Sequence, residues 1–154
     1  MYRRIMVPLD GSGLAECVLP HAEALSKGEG TKEIILVRVV EPFYIPAGGD
    51  YSFSEGEIQK FNAQNLKAAR DYMSQVTSKI NPGAASVRTE VLSGSAAETL
   101  AEYANKNNID LVVLATHGRS GVSRWVMGSI ADRLLHSVNA PVLMVRAPGC
   151  GLAS

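Results

Sequence analysis

The sequence of 154 residues is short of the features that mark several protein classes. It holds two cysteines, Cys17 and Cys150, far apart and without CxxC or metal-ligand spacing, so a disulfide framework and a cysteine-held metal are not expected and a reduced compartment is. Charge of one sign is not in excess: 15 Lys and Arg stand against 15 Asp and Glu. That balance argues against bulk electrostatic capture of nucleic acid or an anionic membrane, leaving only a local basic patch open. No apolar run approaches the ~18 residues of a membrane span. The opening stretch MYRRIMVPLD carries basic residues but no apolar core, so it does not read as a signal peptide, and the expected location is cytoplasmic. Catalytic signatures are missing too. No GxxxxGK followed by Ser or Thr is found, no GxGxxG after the first strand-like run, no GxSxG elbow and no HExxH. The three histidines, His21, His117 and His136, share no metal-ligand spacing.

What is present is a regular alternation. Four β-branched runs, RIMVPL (4–9), EIILVRVV (33–40), LVVLA (111–115) and PVLMVR (141–146), read as strands covered on both faces. A fifth, SVRTEVL (86–92), alternates apolar and polar residues and reads as an exposed or edge strand. Helical spacing separates them. Residues 13–27 place Leu14, Val18, Ala22 and Leu25 on one stripe; residues 55–80 do so with Ile58, Phe61, Leu66, Ala69, Met73, Val76 and Ile80. A third helix opens with Ser95 and Glu98 in capping-box spacing and buries Ala97, Leu100, Ala101 and Ala104. The last runs from about Ser129 to Val138, with Ile130, Leu134 and Val138 inward and Pro141 just past its end. The order βαβαβαβαβ implies an α/β fold: a parallel sheet with helices on both faces, joined by right-handed crossovers. A single domain over 1–147 and a flexible tail over 148–154 are expected, with Cys150 incidental. Residues 41–54, EPFYIPAGGDYSFS, form the one long irregular connection, either a lid over a ligand or a plain surface insertion.

In open α/β sheets ligands bind beyond the carboxyl ends of the strands. The first strand ends in PLDGSG (8–13) and the fourth in LATHGRSG (114–121). If these strands are neighbours, their loops form two lips of one crevice. Small residues let backbone amides approach an anion, and a helix N-terminus adds partial positive charge. Gly128 and Ser129 stand where the last helix should begin, with Arg119 and Arg124 nearby to add charge. Each element also has a plainer reading. Asp10-Gly11-Ser12 is equally a turn, Ser129 an N-cap, His117 a hydrogen-bonded loop residue, Trp125 a loop anchor and Cys17 a packing residue.

These residues resemble the universal stress protein family along nearly the whole chain. Its nucleotide-binding members carry G-x2-G-x9-G followed by Ser or Thr. Here Ala115, Thr116, His117 and Gly118 begin the motif, and nine residues lead to Gly128-Ser129, so the spacing matches while the first glycine is Ala115. VPLDGS and APVLMVR are similar to the family's opening and closing motifs. The resemblance implies a three-layer, Rossmann-like open sheet of five parallel strands in the order 3-2-1-4-5, of the adenine nucleotide alpha hydrolase-like kind. It also implies an adenine-nucleotide site, usually for ATP with Mg, with AMP or cyclic AMP as alternatives. By motif position Pro8, Asp10 and Val39 line the adenosine end. Leu114, Ala115, Thr116, His117, Gly118, Arg119 and Ser120 wrap the ribose and phosphates, and Gly128, Ser129 and Ile130 present the helix N-terminus. Asp10 is also placed to hold Mg through water. Alanine at 115 is harmless if its backbone is strand-like, and weakens binding about tenfold or more if φ is positive.

An apolar edge strand is an aggregation hazard unless paired, so VLMV (142–145) points to a homodimer through 141–146, as family members similarly pair. The function expected is an ATP-binding stress-response or signalling module acting with some protein partner. A slow ATPase or autophosphorylating protein, or a dimeric scaffold without nucleotide, are the alternatives. One carboxylate, Asp10, is thin support for phosphoryl transfer, so no catalytic residue is assigned.

Overall fold

All five strand-like runs form strands, in a computed structural model that describes residues 2–28, 30–44, 54–116 and 129–146, Ser129 in its backbone alone. They are β1 (Arg4–Pro8), β2 (Glu33–Val40), β3 (Ser86–Ser93), β4 (Leu111–Thr116) and β5 (Val142–Arg146). The helices are α1 (Leu19–Gly28), α2 (Glu55–Thr77), α3 (Ala96–Lys106) and α4 (Ser129–Ser137), with a 3-10 turn at Ala15–Val18. Every strand pairing is parallel, and the order is β3-β2-β1-β4-β5.

Successive strand residues point to opposite faces, which splits the core in two. Ile5, Val7, Ile34, Leu36 and Val113 pack with Val18, Ala22, Met73 and Val76 from the 3-10 turn, α1 and α2. Met6, Ile35, Val37, Val112 and Leu114 pack with Leu100, Ala101, Ala104 and Leu134 from α3 and α4. Burial on both faces is why β1, β2 and β4 are continuous apolar runs. β5, an equally apolar run expected to be covered on both faces, is instead an edge strand with Leu143 and Met144 exposed, and β3, at the other edge, has no buried residue. Cys17 packs at the margin of the first cluster, as its plainer reading requires.

Four local expectations are corrected. The first helix is broken: a 3-10 turn precedes α1, whose second residue is Pro20. Proline has no N–H, so position 20 is tolerable only in a first turn, where that donor has no helical partner anyway. The buried stripe is accordingly Ala15, Val18, Leu19 and Ala22, and Leu14 and Leu25 are only half-buried.

In α2 only Ala69, Met73 and Val76 are buried. Its 23 residues span about 34 Å, against about 26 Å for the 8 residues of β2, so its N-terminal part overhangs the sheet. Ile58 and Leu66 are half-buried there, and Phe61 is exposed, packing edge-on against Phe43 with centroids 5.7 Å apart.

The capping box forms at α2 rather than at α3. The Glu57 amide donates to Ser54 Oγ at 3.3 Å, and the Ser54 amide donates to Glu57 Oε2 at 2.7 Å. At α3 the Ser95 hydroxyl meets the Glu98 carboxylate but caps no backbone amide. Glu98 is drawn to Arg133 of α4 at 2.7 Å, and Glu41 Oε1 takes the Ala96 amide at 3.2 Å.

In α4, Ala131 and Leu134 face inward, whereas Ile130 is 43% exposed and Val138 lies just past the helix, half-buried. No helix among the described residues is long and apolar enough to cross a membrane. Trp125, Cys150 and positions 45–53 and 147–154 lie outside the described residues.

Candidate functional site

The order β3-β2-β1-β4-β5 makes β1 and β4 neighbours, and chain direction around the sheet reverses between them. Their ladder is short. β1 matches β2 at five positions, from Arg4↔Glu33 to Pro8↔Val37, but matches β4 at two, Ile5↔Leu111 and Met6↔Val112. Consecutive strand amides face opposite neighbours. The Leu9 amide donates to the Val37 carbonyl of β2 at 2.8 Å, so the amide position before it faces β4. That residue is Pro8, which has no N–H to give. The ladder stops there, and the carboxyl ends of β1 and β4 part to open a cleft.

Beyond β1 the chain turns through an Asx turn. Asp10 Oδ1 accepts from the Ser12 amide at 2.8 Å and from the Ser12 hydroxyl at 2.6 Å, and Ser12 Oγ accepts from the Ala15 amide at 3.1 Å, opening the 3-10 turn. Partial burial opposes ionisation of Asp10, but the Ser12 hydrogen bonds and the charge of Arg38 outweigh it and hold its carboxyl below the ordinary 3.8. Asp10 is therefore a carboxylate at neutral pH. Oδ1 is occupied by the turn; Oδ2 has no hydrogen bond among the described residues.

The cleft, about 230 Å³, is lined by Pro8, Leu9, Asp10, Val37, Val39, Leu114, Ala115, Thr116 and Ile130, and floored by Ala96, Leu100, Ala131 and Leu134. Of the thirteen residues expected from sequence, Pro8, Asp10, Val39, Leu114, Ala115, Thr116 and Ile130 meet here. Ser129 is the first residue of α4, adjoining the lining residue Ile130. His117, Gly118, Arg119, Ser120 and Gly128, along with Arg124, lie outside the described residues. Ala115 is part of β4, paired with Val145, and Asn108 is the one non-glycine residue with positive φ among the described residues. The Ala115 methyl packs against the first core cluster, and its strand backbone means alanine carries no strain there.

Motif reasoning missed the lining residues Leu9, Ala15, Val37, Ala96, Leu100, Ala131 and Leu134. Ala96 is the first residue of α3, and a right-handed crossover from edge strand β3 to β4 carries that helix over β2 and β1, so topology is the signal that could have placed it. Its amide is already capped by Glu41, while α4 contributes Ile130 to the cleft from its first turn.

The model of the universal stress protein family matches residues 1–146. The chain belongs to the universal stress protein family. Among curated relatives it is similar to universal stress protein MJ0531 of Methanocaldococcus jannaschii, 30% identical over 96% of this chain and 84% of that protein. Among solved structures it is similar to MJ0577 of the same organism, with TM-score 0.78 and 23% identity over 97% of this chain and 99% of that one. A universal stress protein in complex with cAMP matches with TM-score 0.60 and 20% identity over 95% of this chain and 98% of that one. The five-stranded order and flanking helices match the MJ0577 structure, so the α/β Rossmann-like fold expected from sequence is the fold observed.

Proposed function

We propose that this universal stress protein is a dimeric ATP-binding module of stress-response signalling, with the nucleotide seated between the parted tips of β1 and β4. The observation that carries the reading is the ladder ending at Pro8, which opens a site of about 230 Å³, near the lower end of small-molecule pockets at roughly 300 Å³. Leu9, Val37, Val39 and Leu100 offer an apolar wall for a purine face, and Asp10 Oδ2 is an unused acceptor for a ribose hydroxyl. Phosphates would extend toward the backbone of Gly128 and Ser129 at the start of α4, with Thr116 to Ser120 around them. The structural neighbour in complex with cAMP supports the adenine-nucleotide class, and AMP and cyclic AMP are the alternative occupants of this cleft. Mg would arrive on the phosphates, with Asp10 reaching it through water. The nucleotide supplies charge and shape; the chain orients it and shields the base.

The dimer contact belongs on β5. This edge exposes Leu143 at 38% and Met144 at 40%, an apolar strand margin that a second copy would cover. Mass spectrometry of small molecules released from freshly purified protein, with an ATP-Mg titration, tests the ligand. An adenine nucleotide and saturable binding are expected; no binding at millimolar ATP-Mg overturns it. Light scattering at micromolar protein should give the mass of a dimer, and Leu143→Glu should give that of a monomer.

A further inference from the structure

A second cavity lies across the sheet from the cleft, between β2 and the middle of α2. It measures about 360 Å³ and is bordered by Gly11, Arg38, Glu41, Asn65, Ala68 and Tyr72, among others. Alanines 68 and 69 leave the space, and Arg38 gives it its chemistry. The guanidinium lies between Gly11 and Tyr72. Its Cζ sits 5.4 Å from the Tyr72 ring centroid, and a Cβ at Gly11 would lie 2.9 Å from that carbon and overlap Nη1. Arg38 Nε and Nη1 and the Tyr72 hydroxyl are all buried without a hydrogen-bond partner.

Three orphaned polar atoms in one place are unusual in a folded protein, because each forfeits its hydration. The acids nearby do not settle them. Glu16, whose carboxylate lies close enough to Tyr72 to oppose its ionisation, is paired with Lys79 at 2.8 Å; the exposed Glu41 sends its carboxylate to the Ala96 amide; and Asp10, which feels the Arg38 charge without an ion pair to it, has Oδ1 bound to Ser12. Among the described residues Arg38 makes no ion pair. Burial first, then the Glu16 carboxylate, pushes Tyr72 up to about 12, so its hydroxyl keeps its proton and remains a donor. Asn65 adds an amide at the rim. The cavity thus gathers a cation, a hydroxyl donor and an amide around space large enough for a small ligand.

We infer that this cavity binds a small oxyanion, a phosphate or a carboxylate, with Arg38 as its counter-charge. The inference does not rest on the nucleotide reading, since it is argued from other residues and tested without nucleotide. The full chain, titrated separately with inorganic phosphate and with acetate, is followed through its arginine Nε–H NMR resonances. The resonance missing from Arg38→Met should shift saturably with phosphate, acetate or both. Which probe saturates it separates a phosphoryl ligand from a carboxylate one. Sodium chloride at matched ionic strength should leave that resonance in place. The active probe should raise the melting temperature of the wild-type chain and not of Arg38→Met. As a second variant that leaves the charge intact, Ala68→Leu fills the cavity from an exposed, helix-compatible position and should weaken binding about tenfold. A resonance that neither probe moves, an equal shift with chloride, or unchanged affinity in Ala68→Leu overturns the inference.

Discussion

The two cavities at the carboxyl end of the sheet are built from the same stretches of chain and differ in kind. Asp10 and Val37 border the cleft on the α3–α4 side; their sequence neighbours Gly11 and Arg38 border the cavity on the α1–α2 side, and Val39 touches both. One step along a strand crosses the sheet. The cleft is therefore mainly apolar with a single carboxylate at its lip, and the cavity is polar around a guanidinium. The difference teaches that neighbouring residues can build two unlike cavities, coupled through the charge of Arg38 on Asp10, and it can be broken or sharpened by substitution.

The largest contrast comes from the core. Leu134, fully buried, floors the cleft from α4, whereas Met73, 1% exposed, packs on the opposite face. Leu134→Ala and Met73→Ala should each destabilise the fold by ~2–5 kcal/mol in urea titrations. Only Leu134→Ala should also weaken ATP binding by calorimetry; equal weakening by Met73→Ala would erase the division between faces. Next is Gly11→Ala, on the cavity side. Its φ of +88° is left-handed, and the added methyl meets the Arg38 guanidinium. A stability loss of ~1–3 kcal/mol is expected, measured as a lower urea midpoint.

Asp10→Asn keeps an acceptor oxygen for Ser12 but removes the charge, and ATP affinity should fall about tenfold. The same residue has a pH signature. Its folded pKa lies below the ordinary 3.8, so its contribution to stability is present above that value and lost as pH falls through the folded one. The acid limb of the wild-type stability curve below pH ~4 should flatten in Asp10→Asn. The smallest effect belongs to the other sheet edge. On β3, Arg88 pairs with Glu33 at 3.3 Å and Glu90 at 3.6 Å, a charged margin unlike the Leu143–Met144 margin of β5. Arg88→Ala should change stability by less than ~1 kcal/mol and leave the oligomeric mass unaltered.

Much of this arrangement is legible in the residues. Continuous runs at 33–40 and 111–115 mark strands covered on both faces, and SVRTEVL marks an edge, because burial writes its period directly into the sequence. The cleft's strand-tip residues are legible from their positions after those runs. Other features depend on contacts between distant elements. The exposure of Phe61 follows from how far α2 outruns the sheet, which helical periodicity does not encode. The cap on Ala96 is Glu41, 55 positions away, so the local S-x-x-E spacing at Ser95 misleads. Arg38 sits inside a run that otherwise reads as buried strand, and only the packing of Gly11 and Tyr72 around it reveals its cavity.

The most direct test is amide NMR mapping of the full chain with ATP-Mg. If the nucleotide lies between the parted strand tips, the largest shifts fall at Leu9, Asp10, Val37, Leu114, Ala115 and Ile130, while Met73 and Val76 stay in place. Shifts centred on α1 and α2, or none at saturating nucleotide, would contradict a site built by the early end of the β1–β4 ladder.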